Sequence, residues 1–222
     1  LKGYDLHPQF SSQGNLAWMN MERAGFEADK VNILLLDGNN GYRNLTEKFY
    51  YSVDDFRWNG EGTRIYFIAT IEATKQLFML EVKSSRITQL TVGDHDYTSL
   101  AVFNDRIVAT RTTLIHPADL FMIDYTQNKA GKVFTSITQV TTANPFWDKL
   151  DLPTVEKHWV ETTDGKKMLV WTLIPSNAKV GEEFPALLYC QGRPQSAVSQ
   201  FFSYRWNLCL MASQGYVVVA PN

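Results

Sequence analysis

The fold is decided by residues 184–194, FPALLYCQGRP, together with residues 215–222, GYVVVAPN. The apolar run at 186–190 is short and bounded by turn-forming residues, a pattern typical of a strand buried on both faces in a parallel sheet. Between the two runs, apolar residues recur at helical spacing over residues 203–214, and Gly215 supplies a helix stop. The sequence therefore predicts a β-α-β unit.

A polar loop at residues 191–195 follows the first predicted strand of this unit. In parallel sheets the chemistry lies just beyond the carboxyl ends of the strands. The loop is therefore where we expect a site. Two cysteines, Cys190 and Cys209, also fall in this unit. We expect both to be buried free thiols rather than a disulfide.

Composition limits the classes of partner. The 222-residue chain is 45% apolar and 20% charged, with a net charge of −2. These values are ordinary for a globular protein and do not favour binding to nucleic acid or to an anionic membrane surface. The apolar runs are shorter than the ~18–20 residues that a membrane span needs. The first ten residues lack the apolar core of a signal peptide.

Residues 1–145 contain a repeat. Three triplets recur at spacings of about 45–50 residues; they are Asn-Leu-Thr (44–46), Gln-Leu-Thr (89–91) and Gln-Val-Thr (139–141). Earlier in each unit an aromatic residue, Phe10, Trp58 or Phe103, precedes a tight turn and an alternating strand, which is typical of a β-hairpin. Short apolar runs ahead of each triplet supply further strands.

A period of ~40–50 residues with about four short strands indicates a propeller blade. A β-sandwich is the alternative, because its turns also recur every ~8–12 residues. Two motifs that repeat in the same order favour the propeller. We therefore predict that residues 1–145 form an all-β partial propeller of about three blades, and because propellers close with about four to eight blades, we expect the chain to belong to something larger.

The pattern changes at residues 144–149. Predicted strands at 155–161 and 167–174 flank Thr163-Asp164-Gly165-Lys166, a hairpin turn with Asp-Gly at its centre. An antiparallel hairpin that leads into a parallel β-α-β unit is how an α/β-hydrolase sheet begins. Residues 146–222 are therefore predicted to be the N-terminal part of an α/β-hydrolase domain.

Several stretches together resemble the prolyl oligopeptidase family of serine peptidases, in particular its bacterial dipeptidyl-peptidases on the acylaminoacyl-peptidase branch. They are ETTDG (161–165), Ile174-Pro175, PALLY (185–189), GFEADK (25–30) and TLIHP (113–117). In this family a propeller precedes the hydrolase domain. The resemblance implies a serine exopeptidase that releases dipeptides or acylated residues from peptide N-termini, with no cofactor and no metal.

The resemblance also implies partners and a location. The partners would be a peptide substrate, the remainder of the parent polypeptide and a second copy of the parent in a homodimer, with no nucleic acid and no membrane. The location would be the bacterial periplasm or cytoplasm. Two alternatives stay open, a propeller that binds without catalysis and a propeller-bearing esterase.

Family members carry a catalytic Ser in a Gly-x-Ser-x-Gly elbow, followed by Asp and His. The sequence contains no such elbow, and none of its four histidines, His7, His95, His116 and His158, follows one. We therefore expect an internal segment, truncated before the nucleophile elbow, that lacks the triad and is not active alone.

The resemblance places an oxyanion-stabilising loop at Gln191-Gly192-Arg193-Pro194. Gln191 can donate through its amide NH₂, and a backbone N–H of the loop can serve in the same way. Arg193 stands where the family more usually has Gly, so a positive φ there would be strained. The other interpretation is that Gln191 only hydrogen-bonds within the loop.

A dipeptidyl-peptidase must also recognise a charged substrate N-terminus, which carboxylates do through charge-assisted hydrogen bonds. Glu22 and Glu27 are the candidates, in a loop-like insertion at residues 21–30. The alternative is a solvated loop whose charges pair internally with Arg23 and Lys30. Four aromatic residues after the oxyanion loop could line a substrate pocket, although core packing is the default; they are Phe201, Phe202, Tyr204 and Trp206.

Overall fold

The computed structural model describes residues 2–38, 41–179, 181–192 and 196–222. Its first part is built from three antiparallel units of four strands each. The strands are β1 (Asp5–Phe10), β2 (Leu16–Asn20), β3 (Asn32–Asp37), β4 (Gly41–Asn44), β5 (Val53–Trp58), β6 (Arg64–Ile71), β7 (Thr74–Glu81), β8 (Arg86–Gln89), β9 (Asp96–Phe103), β10 (Arg106–Thr113), β11 (His116–Gln127) and β12 (Val133–Gln139). Within each unit, strands that follow one another in the chain are paired. The second and third units are joined into one eight-stranded sheet by a parallel bridge between Lys75 of β7 and Asp96 of β9.

The predicted hairpins are confirmed. Phe10, Trp58 and Phe103 each end the first strand of a unit, and the second strand begins after a short turn. In the third unit the turn residues Asn104 and Asp105 both have positive φ, 46° and 61°, as a tight two-residue hairpin turn requires. Phe10 is 71% exposed, so it does not pack in the core of the first unit.

The repeated triplets have a structural cause, which we call the threonine clasp. In the first unit, Leu45 N–H donates to the carbonyl of Ile33 at 2.9 Å, and Ile33 N–H donates to the Thr46 hydroxyl at 2.9 Å. The hydroxyl in turn donates to Asn32 Oδ1 at 3.2 Å. The same set of bonds recurs around Leu77, with Leu90, Thr91 and Gln76, and around Leu120, with Val140, Thr141 and Asp119. Each clasp fastens the end of the fourth strand to the third.

The middle unit is covered on both faces. Successive side chains of a strand point to opposite faces, so Ile65 and Phe67 of β6 enter a core shared with the first unit. Tyr66 and Ile68 enter a second core shared with the third unit. Because both faces of β6 are buried, its apolar run is continuous. The two cores place the middle unit between the first and the third.

A third sheet follows a short 3₁₀ turn at Trp147–Lys149, in the order β13-β14-β16-β15. Its elements are β13 (Thr154–Glu161), β14 (Lys167–Ile174), β15 (Ala186–Leu188), helix α1 (Leu208–Ser213) and β16 (Val217–Pro221). The hairpin at Asp164-Gly165 is confirmed, with Glu161 paired to Lys167 and Gly165 at φ 77°. The β-α-β unit is also confirmed, since β15 runs parallel to β16 with α1 between them.

Two details of that unit were predicted wrongly. Strand β15 is not buried on both faces: Leu188 is 62% exposed and Cys190 is exposed, although Cys209 is buried and both thiols are free. The reason is position, because β15 lies at the edge of the described sheet and pairs only with β16. An apolar run identifies a strand, but its burial depends on what covers it.

Helix α1 is also shorter than the predicted 203–214. Asn207 caps it by accepting the N–H of Leu210 at 2.9 Å, whereas the Ser203 hydroxyl accepts from Arg205 N–H and Trp206 N–H in a turn before the helix. Such local bonds compete with helix formation. Gly215, at φ 89°, follows its end. Among the described residues, no helix is long and apolar enough to cross a bilayer.

Candidate functional site

The candidate loop begins where β15 ends. Tyr189 N–H donates to the carbonyl of Val219 at 2.8 Å, so the parallel pairing continues one residue beyond β15. Gln191 and Gly192 then leave the sheet at its carboxyl edge, the place where parallel sheets carry their sites. The fold therefore puts these two residues where the sequence predicted a site.

The side chain of Gln191 is oriented by its neighbour. The Tyr189 hydroxyl donates to Gln191 Oε1 at 3.0 Å, which occupies the acceptor end of the amide. The Nε2 donor makes no hydrogen bond within the part of the chain that the structure describes, and Gln191 is exposed. A side chain held by its oxygen presents its NH₂ outward, as a donor to an oxyanion must.

Gly192 is exposed, and a Cβ added to it would meet no atom within 4 Å. Its carbonyl accepts a hydrogen bond from the Ser196 hydroxyl at 3.0 Å. The predicted contributions of Arg193 and Pro194, including the expected strain at Arg193, concern residues 193–195, which lie outside the described residues.

The second candidate region is the loop between β2 and β3. Arg23 forms an ion pair with Asp29, with Nη2 2.9 Å from Oδ1 and the backbone N–H of Arg23 2.8 Å from Oδ2. These hydrogen bonds lower the pKa of Asp29 to about 2. Lys30 donates instead to the carbonyls of Thr46 and Glu47. Both cations of the loop are therefore engaged, and neither pairs with the candidate glutamates.

Glu22 and Glu27 are exposed, and they make no hydrogen bond or ion pair with any other described residue. Their carboxylates are thus available to a ligand cation. No hydrogen bond or ion pair among the described residues joins this loop to Gln191 or Gly192, so the contacts of the structure do not bring the two candidate regions together.

Curated relatives match the whole chain. It is 40% identical over 224 residues to dipeptidyl-peptidase 5 of Porphyromonas gingivalis, a match that covers 100% of this chain and 32% of that protein. It is 42% identical to dipeptidyl-peptidase 5 of Porphyromonas endodontalis, with the same coverage. These matches support the resemblance to the prolyl oligopeptidase family over the whole chain. The chain spans about a third of the length of these relatives, and no protein-family model matches it.

Solved structures show the same fold. Acylaminoacyl peptidase from Pyrococcus horikoshii superposes with a TM-score of 0.78 at 17% identity, over 97% of this chain and 32% of that one. Porphyromonas gingivalis dipeptidyl peptidase 4 gives a TM-score of 0.67 at 16% identity, over 97% of this chain and 30% of that one. At such identities the likeness concerns the fold alone.

Two of the four histidines, His95 and His116, lie in polar or charged surroundings. His95 is mostly buried: burial, and then the charge of Arg111, lowers its pKa to about 4, so it is neutral at pH 7. Nowhere in residues 2–38, 41–179, 181–192 and 196–222 do three or more His, Cys, Asp or Glu residues form a group suited to a metal ion. His116 lines a cavity of about 240 Å³ beside Arg111 and Trp147.

The four aromatic residues after the loop divide between core and surface. Phe201 packs against the core of the third sheet, whereas Tyr204 is 82% exposed and Trp206 is 53% exposed. Phe202 and Tyr204 line an apolar cavity of about 460 Å³ between α1 and the residues after Trp147. Core packing was therefore the wrong expectation for Tyr204 and Trp206.

Sequence reasoning missed a buried polar cluster that joins β9 to the third sheet. Asp96, Ser199 and Gln200 are each at most 3% exposed, and Asp96 accepts hydrogen bonds from the other two. Asp96 lies about a hundred residues before Ser199 and Gln200 in the chain, so no local spacing in the sequence indicates this contact. The only hint was a carboxylate at the start of a strand that is otherwise apolar or neutral.

Proposed function

We propose that the full-length protein containing this chain is a serine peptidase that releases dipeptides from peptide N-termini by acyl-enzyme chemistry. The observation that carries the proposal is the 40% identity to a dipeptidyl-peptidase 5 over a match that covers the whole chain. The nucleophile, its base and the orienting acid would come from parts of the protein outside this sequence.

In this proposal residues 1–145 form three blades of a β-propeller and residues 146–222 begin an α/β-hydrolase domain. Three sets of four consecutive strands, paired antiparallel within each set and each closed by the same threonine clasp, support the first assignment. The antiparallel hairpin that leads into a parallel β-α-β unit supports the second. The propeller would limit access to short or unfolded peptides.

Gln191 and Gly192 would contribute to the oxyanion hole. The Tyr189 hydroxyl holds Gln191 Oε1, so Nε2 is the end of the amide that can donate to the tetrahedral intermediate. Loss of one such donor typically costs about 2.7–4 kcal/mol of transition-state stabilisation, which is about 100- to 1,000-fold in kcat.

Glu22 and Glu27 would bind the substrate's ammonium group. A carboxylate that already pairs with an arginine is neutralised, whereas these two are exposed and unpaired among the described residues. Charge-assisted hydrogen bonds to an ammonium are about twice as strong as neutral ones, which would favour a free N-terminus over an acylated one.

The test compares a dipeptidyl fluorogenic amide with its N-acetylated form, using the full-length protein. We expect cleavage of the free-amine substrate, inhibition by a serine-directed phosphonate, and a kcat lowered by about 100- to 1,000-fold in Gln191→Ala. Glu22→Gln or Glu27→Gln should raise KM for the free-amine substrate, whereas Glu183→Gln, an exposed matched control, should not. Equal rates on both substrates, or hydrolysis of simple acyl esters alone, would overturn the proposal.

A further inference from the structure

The most buried carboxylate of the interface between the β-units and the third sheet is that of Asp96, the first residue of β9. It is 0% exposed. Its Oδ1 accepts the backbone N–H of Lys75 at 2.9 Å and that of Gln200 at 3.1 Å. Its Oδ2 accepts the Ser199 hydroxyl at 2.5 Å. One side chain therefore links two strands of the β-units to the segment that follows the candidate oxyanion loop.

That segment is held at further points. Gln200 Oε1 accepts the backbone N–H of Leu114, in the turn between β10 and β11, at 3.2 Å. Val198 N–H donates to Asn222 Oδ1 at 2.6 Å, and Asn222 Nδ2 donates back to the Val198 carbonyl at 3.1 Å. Residues 198–200 are thus fixed between the β-units on one side and the end of β16 on the other.

The fixed segment connects directly to the candidate loop. The Ser196 hydroxyl donates to the carbonyl of Gly192 at 3.0 Å, three residues before Ser199. The other end of the loop is fixed by the pairing of Tyr189 with Val219. Gly192 is therefore linked to two anchored segments, and only the segment at residues 198–200 depends on Asp96.

We propose that Asp96 is a positioning residue for Gln191 and Gly192, and that the β-units set the placement of these two residues through it. The proposal rests on the proposed function for its catalytic consequence, although the anchoring contact is independent of it. Displacement of a catalytic group by about 1 Å can cost about 100-fold in rate. A residue that anchors Gln191 and Gly192 can therefore change the rate without contacting the substrate.

The hydrogen bonds of Asp96 need an oxygen acceptor at this position but not a negative charge. Burial raises the pKa of Asp96 to about 6, against the opposing effects of the Ser199 hydroxyl, the Gln200 and Lys75 N–H groups and the Lys75 ammonium. An asparagine at this position keeps an oxygen for the two N–H groups and offers an NH₂ to the Ser199 oxygen. Asp96→Asn therefore preserves the anchor, whereas Asp96→Ala removes it.

The experiment uses the full-length protein in four forms: wild type, Asp96→Asn, Asp96→Ala and Glu183→Gln, the last a control at an exposed carboxylate that makes no hydrogen bond or ion pair with another described residue. Steady-state kinetics on a dipeptidyl substrate are measured alongside hydrogen–deuterium exchange of the peptide covering residues 196–202. We expect Asp96→Ala to lower kcat at least tenfold with KM within about threefold, and to speed exchange in that peptide.

Asp96→Asn and the control should keep kcat within about threefold of wild type, because the anchor survives in both. If Asp96→Ala does not fold, Ser199→Ala replaces it, with a smaller loss of kcat expected in the same direction. A normal kcat in a variant whose 196–202 peptide exchanges faster would overturn the proposal. So would a large kcat loss in Asp96→Asn with unchanged exchange.

The two proposals can fail separately. If the wild-type protein releases no dipeptides, the proposed function is wrong, and the exchange experiment alone decides the anchoring claim. Faster exchange of the 196–202 peptide in Asp96→Ala but not in Asp96→Asn would then support it. Equal exchange in all four forms would overturn it.

Discussion

The threonine clasp makes the most direct energetic prediction, because the chain contains three copies in different surroundings. Thr46 and Thr91 are buried, at 0% and 2% exposure, whereas Thr141 is half-buried and its partner Leu120 is 37% exposed. Thr→Val is nearly isosteric and replaces only the hydroxyl with a methyl group. The same substitution at each position therefore isolates the contribution of one hydrogen-bonding group.

The expected free-energy cost of each substitution depends on which polar groups lose their hydrogen-bond partner. Thr91→Val would leave Leu77 N–H and Gln76 Oε1 without their partner in a buried site. An unsatisfied buried polar group costs about 1–3 kcal/mol, so we expect the middle unit to lose about 2–3 kcal/mol. Thr46→Val should cost a similar amount at Ile33.

Thr141→Val should cost less than about 1 kcal/mol. Water can reach the Leu120 N–H there, and Asp119 Oδ1 keeps the N–H of Ala143 at 2.8 Å. The exposed copy is thus a matched internal control for the two buried ones.

Hydrogen–deuterium exchange of the full-length protein can follow each unit separately, through peptides that cover β3, β7 and β11. The free energy of local opening is compared between wild type and each variant. A cost at Thr141 equal to or larger than that at Thr91 would refute the reasoning, because solvent access would then not decide the penalty.

Two further outcomes are expected. The pKa of Asp96 is raised from 3.8 to about 6. The folded protein therefore holds a proton on Asp96 more tightly than the open state does. The stability that this proton gives to the Asp96 contact with residues 199 and 200 is complete below about pH 4 and is lost as the pH rises through about 6. The free energy of local opening of the 196–202 peptide is measured in wild type and in Asp96→Asn at both pH values. Relative to Asp96→Asn, wild type should be about 1.4 kcal/mol less stable at pH 7.5 than at pH 5. A difference that does not change with pH would contradict this. Tyr66→Phe removes a buried hydroxyl that donates to Asp105 and contacts the Tyr125 hydroxyl, both at 2.7 Å. Thermal melts should show a loss of about 1–2 kcal/mol, absent in the exposed control Tyr42→Phe.

The repeat could be predicted because its cause is local. Each clasp needs a threonine just beyond the fourth strand and a polar side chain one residue before the third-strand residue that it holds, as with Thr91 and Gln76. These requirements recur at a fixed spacing and are therefore visible in the sequence. The hairpin at Gly165, with its positive φ, was predictable for the same reason.

Burial and long-range contacts could not be predicted in this way. The apolar run of β15 indicated a strand, but the exposure of Leu188 depends on the absence of a second partner strand among the described residues. The pairing of Asp96 with Ser199 joins residues 103 positions apart. No periodicity encodes such a contact, since it depends on how the units and the third sheet pack together.

The candidate site was predictable only in its location. The position of Gln191 and Gly192 at the carboxyl end of β15 follows from the sequence pattern. The hydrogen bond from the Tyr189 hydroxyl that orients the Gln191 amide is visible only once the side chains are placed. For the loop at residues 21–30, internal pairing was one of the two interpretations of the sequence. The structure shows it for Arg23 with Asp29 but leaves Glu22 and Glu27 unpaired among the described residues.

The most direct test of the central claim is mass spectrometry of the products that the full-length protein forms from an unmodified peptide with a free N-terminus. The account predicts a ladder of products, each shorter than the last by two residues, with the matching dipeptides, and no ladder after acetylation of the N-terminus. Loss of single residues, cleavage at internal bonds regardless of acetylation, or no cleavage at all would contradict it.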